Sequence, residues 1–163
     1  MASLAGQCEG LAEMGGASPG ATGLPSGLPW ADPGPTLGPA LALRGRLALE
    51  RGKLSKAHDD AGEAIKLSPK QALGYYVRGR VRLERGRPDG LADLARAAEL
   101  SARKDALILH WLAAALSQAG RYAEALTTQR EAVQLRPQDP ELLEQLQELE
   151  RVVARAQVER RGG

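Results

Sequence analysis

The side chains best equipped for covalent or acid–base chemistry are few in this 163-residue chain. There is one thiol, Cys8, and there are two imidazoles, His58 and His110. A nucleophile needs a base within hydrogen-bond reach, and that base needs a further group to orient it. His58 has Asp59 and Asp60 as sequence neighbours, but the local period puts it on the surface of a helix. His110 lies in an apolar stretch without an acid beside it and reads as a surface or groove residue. Cys8 sits apart from both. A metal site needs clustered His, Cys or carboxylate ligands, and none cluster. A phosphate-cradling G-x-x-x-x-G-K, a dinucleotide glycine pattern and an H-E-x-x-H pair are all missing from the sequence. The expectation is a protein that is no enzyme and uses no cofactor and no metal.

The chemistry that remains is recognition. Arginine is dense at Arg44, Arg46, Arg78, Arg80, Arg82, Arg85 and Arg87. A guanidinium takes carboxylates or carbonyls in a fork, and a neighbouring ring adds contact area at low entropic cost. The only rings are Trp30, Tyr75, Tyr76, Trp111 and Tyr122. This set suits an extended peptide. Phosphates are the weaker reading, because the formal net charge is only +2 and Glu50 and Glu84 interrupt the basic run. Arg46–Glu50 and Arg80–Glu84, four residues apart, also fit a plain solvated face with pairs inside one helix.

The elements that must position these groups are unevenly distributed. Residues 1–39 hold 9 of the 19 Gly and 6 of the 10 Pro, and no Lys or Arg. Glycine loses much backbone entropy on ordering and proline blocks regular hydrogen bonding. Residues 1–38 therefore read as a disordered head or linker, containing Cys8 and Trp30. The head lacks the basic start and apolar run of a signal peptide, and Ala2 rules out N-myristoylation. No run of about 18 apolar residues exists, so no membrane span is expected, and cytoplasm is the default location. A lone cysteine excludes an internal disulfide framework.

The rest of the chain repeats. Arg44-Gly45-Arg46-Leu47-Ala48-Leu49-Glu50-Arg51-Gly52 matches Arg78-Gly79-Arg80-Val81-Arg82-Leu83-Glu84-Arg85-Gly86 at an offset of 34. Leu112–Gly120 continues the register. Each glycine follows one helical pattern and precedes another, with apolar residues at three- and four-residue steps. No segment alternates with period two. Small residues mark the crossings: Gly45, Gly79 and Ala113 on the first helices, then Ala57, Ala64, Ala98, Ala125 and Ala132 on the second. Close approach of helix axes explains how the chain does without Phe.

This register resembles the tetratricopeptide repeat. With Gly38 as position one, Gly45, Ala57, Ala64 and Pro69 fall on the family's small-residue and closing-proline positions. Tyr75, Gly79, Ala95 and Ala98 do so in the second unit, with Arg103 where the family has proline. Leu112, Ala113, Tyr122, Ala125, Ala132 and Pro137 do so in the third. The resemblance implies an all-α, right-handed solenoid of antiparallel helix pairs, with units at about 38–71, 72–105 and 106–139 in a domain spanning 39–160. Ala48, Ala61 and Arg82 stand where the family prefers aromatic residues, which implies thin packing.

A stacked array of helix pairs presents its first helices along a concave groove. The groove candidates are Arg46, Glu50, Tyr76, Arg80, Glu84, His110, Trp111, Ser117 and Gln118. Some members of the family clamp chaperone C-terminal carboxylates with Lys and Asn side chains. The corresponding positions here are Ala42, Arg46, Val77, Leu107 and Trp111, so the clamp is absent. The implied function is a protein–protein adaptor or scaffold that binds a peptide or helix of a partner. The alternatives are a regulatory fragment or subunit of a larger enzyme and, more weakly, a nucleic-acid binder.

After the third unit, Asp139 suits an N-cap and Pro140 the first helical position. Leu142, Leu146, Leu149, Val153 and Ala156 form one stripe, and the reading is a capping helix over 140–160. Three units are near the minimum for a stable array, which makes a homo-oligomer an open expectation.

Overall fold

The computed structural model describes residues 34–161; the head, with Cys8 and Trp30, lies outside the described residues. Those residues form seven helices and no strand. They are α1 (Gly34–Glu50), α2 (Leu54–Leu67), α3 (Ala72–Glu84), α4 (Gly90–Leu100), α5 (Ala106–Gln118), α6 (Tyr122–Leu135) and α7 (Pro140–Arg161). α1 packs on α2, α3 on α4 and α5 on α6, and each pair leans on the next. α1 also meets α3, and α3 meets α5, so the first helices of the three pairs share one face.

The glycines of the register end the first helices. Gly52, Gly86 and Gly120 have φ of +70°, +68° and +75°. In each case the glycine N–H bonds three residues back, and the following N–H bonds five residues back: Lys53 to Ala48 at 2.8 Å, Arg87 to Arg82 at 2.8 Å and Arg121 to Leu116 at 2.9 Å. These are Schellman closures, in which a left-handed residue satisfies the last carbonyls of a helix. Return turns differ. α2 and α6 end at Ser68-Pro69 and Arg136-Pro137, where proline cannot continue the helix. The second unit has Arg103 in place of proline, and α4 ends with Ala102 at φ +50° and Arg103 at φ +56°. Its closure, Arg103 N–H to Ala98 O at 2.8 Å, has the same pattern without a glycine.

Packing between partner helices uses small residues, as the sequence predicts. Ala57, Ala61, Ala64, Ala97, Ala98, Ala113, Ala125 and Ala132 are all buried. At the crossing of α3 on α4 the backbones themselves approach closely. A methyl group on Gly79 would stand 2.9 Å from Leu94 Cγ and 3.0 Å from the Gly90 carbonyl, and one on Gly90 would stand 2.7 Å from the Gly79 carbonyl. Two glycines facing each other thus let these backbones touch.

Ion pairs lock the first two units. Arg44 donates through Nε and Nη2 to both carboxylate oxygens of Asp60, at 2.8 and 2.6 Å. Arg78 does the same to Asp93, at 2.8 and 2.7 Å, and Arg82 adds a third bond at 2.8 Å. Both acids are buried, and the forked geometry offsets the cost of desolvating them. Asp93 stands one residue short of the 34-residue step from Asp60, within a helix that follows the longer turn 85–89. In the third unit Leu112 and Thr128 occupy the register positions of Arg44 and Asp60, and both are buried.

α7 covers α6, as a cap should. Leu142 and Leu149 are buried, and Gln129 of α6, fully buried, donates through Nε2 to the Leu142 carbonyl at 2.8 Å. Asp139 accepts from Glu141 N at 3.2 Å, the N-cap bond read from the sequence. One boundary moves. α1 begins at Gly34, inside the segment read as head. Pro35 suits an opening turn, and Pro39 removes one backbone bond inside α1.

Candidate functional site

The shared face of α1, α3 and α5 carries most of the candidates, but not in the way the sequence suggested. Tyr76, expected to face the groove, is only 2 % exposed. Its position on α3 turns it into the hydrophobic core, and burial pushes its phenol up from the usual tyrosine range. The half-buried aromatic on this face is Trp111, with the Arg80 guanidinium 4.1 Å from its ring centre. That cation–π contact contributes about 1 kcal/mol. Arg80 also reaches Glu84 Oε1 at 3.1 Å and the Tyr76 hydroxyl at 3.4 Å. The structure therefore gathers Tyr76, Arg80, Glu84 and Trp111 into one chain of contacts.

His110 corrects a second expectation. It is 6 % exposed, not a surface residue. The Glu141 carboxylate at the start of α7 stands 3.5 Å from His110 Nε2, and Trp111 sits edge-on at 5.5 Å between ring centres. Burial pushes the imidazole below its ordinary value, against the opposing pull of Glu141 and Asp139.

Arg46 and Glu50 form the plain i,i+4 pair, 3.4 Å apart. Ser117 is half-buried near the end of α5. Gln118 lies elsewhere, beside a cavity of about 200 Å³ between the turn after α3 and the end of α5. His58 is near Asp59 but apart from the shared face, and Asp60 belongs to Arg44.

A larger cavity, about 320 Å³, opens where α1, α3 and α5 meet. Arg46, Tyr76, Leu73 and Leu107 line it, and so do Gln71, Asp105, Ser101 and Ile108. Gln71 and Asp105 were missed by the sequence reading, although a signal existed: they are 34 residues apart and are the N-cap residues of α3 and α5. Asp105 Oδ1 accepts from Leu107 N at 2.9 Å and Ile108 N at 3.4 Å. Gln71 makes no such bond.

The dense arginines are mostly engaged by acids of the same chain. Arg44 holds Asp60, Arg78 and Arg82 hold Asp93, Arg80 holds Glu84 and Arg87 meets Asp89. Among the described residues, no group of three or more His, Cys, Asp or Glu could hold a metal ion, and no helix is long and apolar enough to cross a membrane.

No protein-family model matches the chain. Over 63 residues it is 46 % identical to human tetratricopeptide repeat protein 36; the match covers 38 % of this chain and spans only 33 % of that protein's length. Among solved structures, the first TPR domain of human RPAP3 superposes with a TM-score of 0.67 at 19 % identity, covering 74 % of this chain and 95 % of that one. The first TPR of Spaghetti (RPAP3) bound to the HSP90 peptide SRMEEVD gives 0.68 at 17 % identity, covering 74 % and 96 %. The chain has the tetratricopeptide-repeat fold.

Proposed function

We propose that this tetratricopeptide-fold array is a non-enzymatic adaptor that binds a peptide or helix of another protein along the shared face of α1, α3 and α5. One observation carries the reading: a cavity of about 320 Å³ opens beside these three helices, and its wall mixes a cation, amide and carboxylate groups with leucine and isoleucine. Pockets that hold ligands combine an apolar lining with a few polar groups that fix orientation. The fold neighbour solved with an HSP90 peptide makes a peptide the natural ligand class.

Nucleic acid is the poorer partner, since the arginines are neutralised within the chain. A chaperone tail is poorer too. Ala42 and Val77 are buried and apolar where a clamp would place polar side chains. In fluorescence anisotropy, SRMEEVD is expected to bind more weakly than about 100 µM; micromolar binding abolished by Arg46→Ala would overturn that exclusion.

The test of the adaptor reading is crosslinking followed by mass spectrometry. The double variant Arg46→Glu, Arg80→Glu is compared with Lys66→Glu, a control on the exposed side of α2. The expected outcome is loss of partners in the double variant alone, with helicity by circular dichroism kept. Partners retained in full rule this face out.

A further inference from the structure

The two ends of the array are finished differently. At the trailing end α7 lies on α6, buries Leu142 and Leu149, and presents Glu144, Gln147, Glu148 and Arg151 to solvent. A polar outer face is what the last element of a stacked array needs. α1, at the leading end, lacks that finish. Ala40, Leu43 and Leu47 follow at steps of three and four, so they share one side of the helix. All three are exposed, the two leucines by 49 % and 48 %. Their register positions 34 residues on are Gly74, Val77 and Val81, and these are buried. In α3 that side meets the preceding pair. A methyl on Gly45 would stand 3.4 Å from Val77 Cγ1, and one on Gly74 would stand 3.0 Å from Ile65 Cγ1. α1 therefore exposes the surface by which α3 seats on the unit before it. On α2, Lys56, Asp60 and Glu63 follow at four and three, and Arg44 of α1 grips Asp60. Lys56 and Glu63, both exposed, thus flank that grip.

We infer that this leading face binds a second copy of the chain across a two-fold axis beside the Arg44–Asp60 grip, with the two α1 helices antiparallel. Leu43 then meets its own copy, and Ala40 lies opposite the partner's Leu47, a small side chain against a large one. α2 runs antiparallel to α1, so the same axis falls between Lys56 and Glu63. Lys56 comes opposite the partner's Glu63, and Glu63 opposite the partner's Lys56, which gives two pairs of opposite charge. Lys66 holds Glu63 at 2.7 Å within α2, an exposed bond that is cheap to exchange. The second copy has no seat at the trailing end, because α7 covers it. A two-fold contact instead uses one patch twice and closes. α1 has 17 residues, so it is about 25 Å long, and a helix pair is about 20 Å wide. The contact therefore covers about 1,000 Å² in total, the lower end for a specific interface. The inference stands apart from the groove reading, since partner binding on the shared face can fail without touching it.

The test is sedimentation equilibrium of the full chain in reducing buffer, from about 1 to about 300 µM. The wild type is expected to dimerise with a Kd of about tens of micromolar. Each substitution enters a two-fold contact twice. Leu43→Glu is expected to weaken the dimer about a hundredfold, with helicity by circular dichroism kept because the side chain is exposed. Lys56→Glu, which sets two acids opposite each other, is expected to weaken it about tenfold, and the swap Lys56→Glu with Glu63→Lys to return it to within about threefold of the wild type. Leu143→Glu, exposed on α7, is the control and is expected to change nothing. A dimer indifferent to both Leu43→Glu and Leu47→Glu overturns the leading face as its seat. A dimer broken by Leu43→Glu but not restored by the charge swap overturns the antiparallel two-fold. A monomer at every concentration overturns the second copy and leaves the face to a helix of another protein.

Discussion

The first two helix pairs and the third meet the same packing requirement with different chemistry. In α1–α2 and α3–α4 an arginine reaches across to a buried aspartate in a two-pronged grip. In α5–α6 the same register holds Leu112 and Thr128, and the buried polar groups, His110 and Gln129, turn instead toward α7. A buried charge pair is strongly destabilising when one partner is lost, whereas apolar contact degrades gradually. The first two units should therefore be brittle to single charge changes, and the third should depend on the helix that caps it.

The sharpest way to break this contrast is Asp93→Ala, which leaves Arg78 without its acid and takes one of its two from Arg82. Urea unfolding should show a loss of about 3 kcal/mol. Thr128→Ala, its counterpart in the third unit, should cost only about 1 kcal/mol. Equal losses would mean the arginine grip is no more than decoration.

Next in size is the crossing of α3 and α4. Gly79→Ala places a methyl 3.0 Å from the Gly90 carbonyl, a backbone atom that cannot step aside, and about 2 kcal/mol should be lost. The equivalent residue of the third pair is already alanine, Ala113, buried without a gap. A neutral Gly79→Ala would show that the second pair can open as far as the third.

How much of this was legible in the sequence follows from the range of the forces. The glycines at 52, 86 and 120 demanded a left-handed residue at a fixed spacing, so the helix pairs could be read from local geometry alone. Asp139 and Pro140 announced α7 in the same local way. The arginine grips were hidden because Arg44 and Arg78 look like surface residues until an acid about 15 residues away is placed opposite them. Tyr76 and His110 were misplaced for a related reason. A helical period says which residues share a face; it does not say which neighbour covers that face. Gln71 and Asp105 were passed over because polar residues at helix starts are ordinary caps, and only the cavity distinguishes these two.

A smaller effect tests the turns. Ala102→Gly should relieve a left-handed alanine, a gain of about 1–2 kcal/mol. Added freedom in the unfolded chain offsets about 0.4–1 kcal/mol of it. A net rise of about 0.5–1 kcal/mol in thermal or urea unfolding is expected, and Gly86→Ala should show a comparable loss. No rise would mean that the return turn of the second unit is held by contacts stronger than its backbone preference.

The gentlest test is acid. Burial holds His110 below its ordinary value, so on lowering the pH the unfolded chain takes up this proton first, and stability begins to fall near pH 6.5. The groups around it, Glu141, Asp139 and Arg80, pull in opposite directions and soften the slope. Arg44 holds the Asp60 carboxyl below its ordinary value, so that contribution persists until the pH drops below about 4. Acidification should thus loosen the α5–α7 end first, seen as earlier amide exchange there, and the α1–α2 pair last. Simultaneous loosening would erase the distinction between the two ends.

The nearest-neighbour pattern of packing also sets a timescale. Apart from the contacts among the first helices, each element leans on the one just before or after it in the chain. The loops closed on folding are consequently short and cost little entropy, and any of the three hairpins can form before the others. Refolding from urea should therefore run in about milliseconds or less, with the order of assembly decided by which hairpin is locally strongest rather than by a search for distant partners.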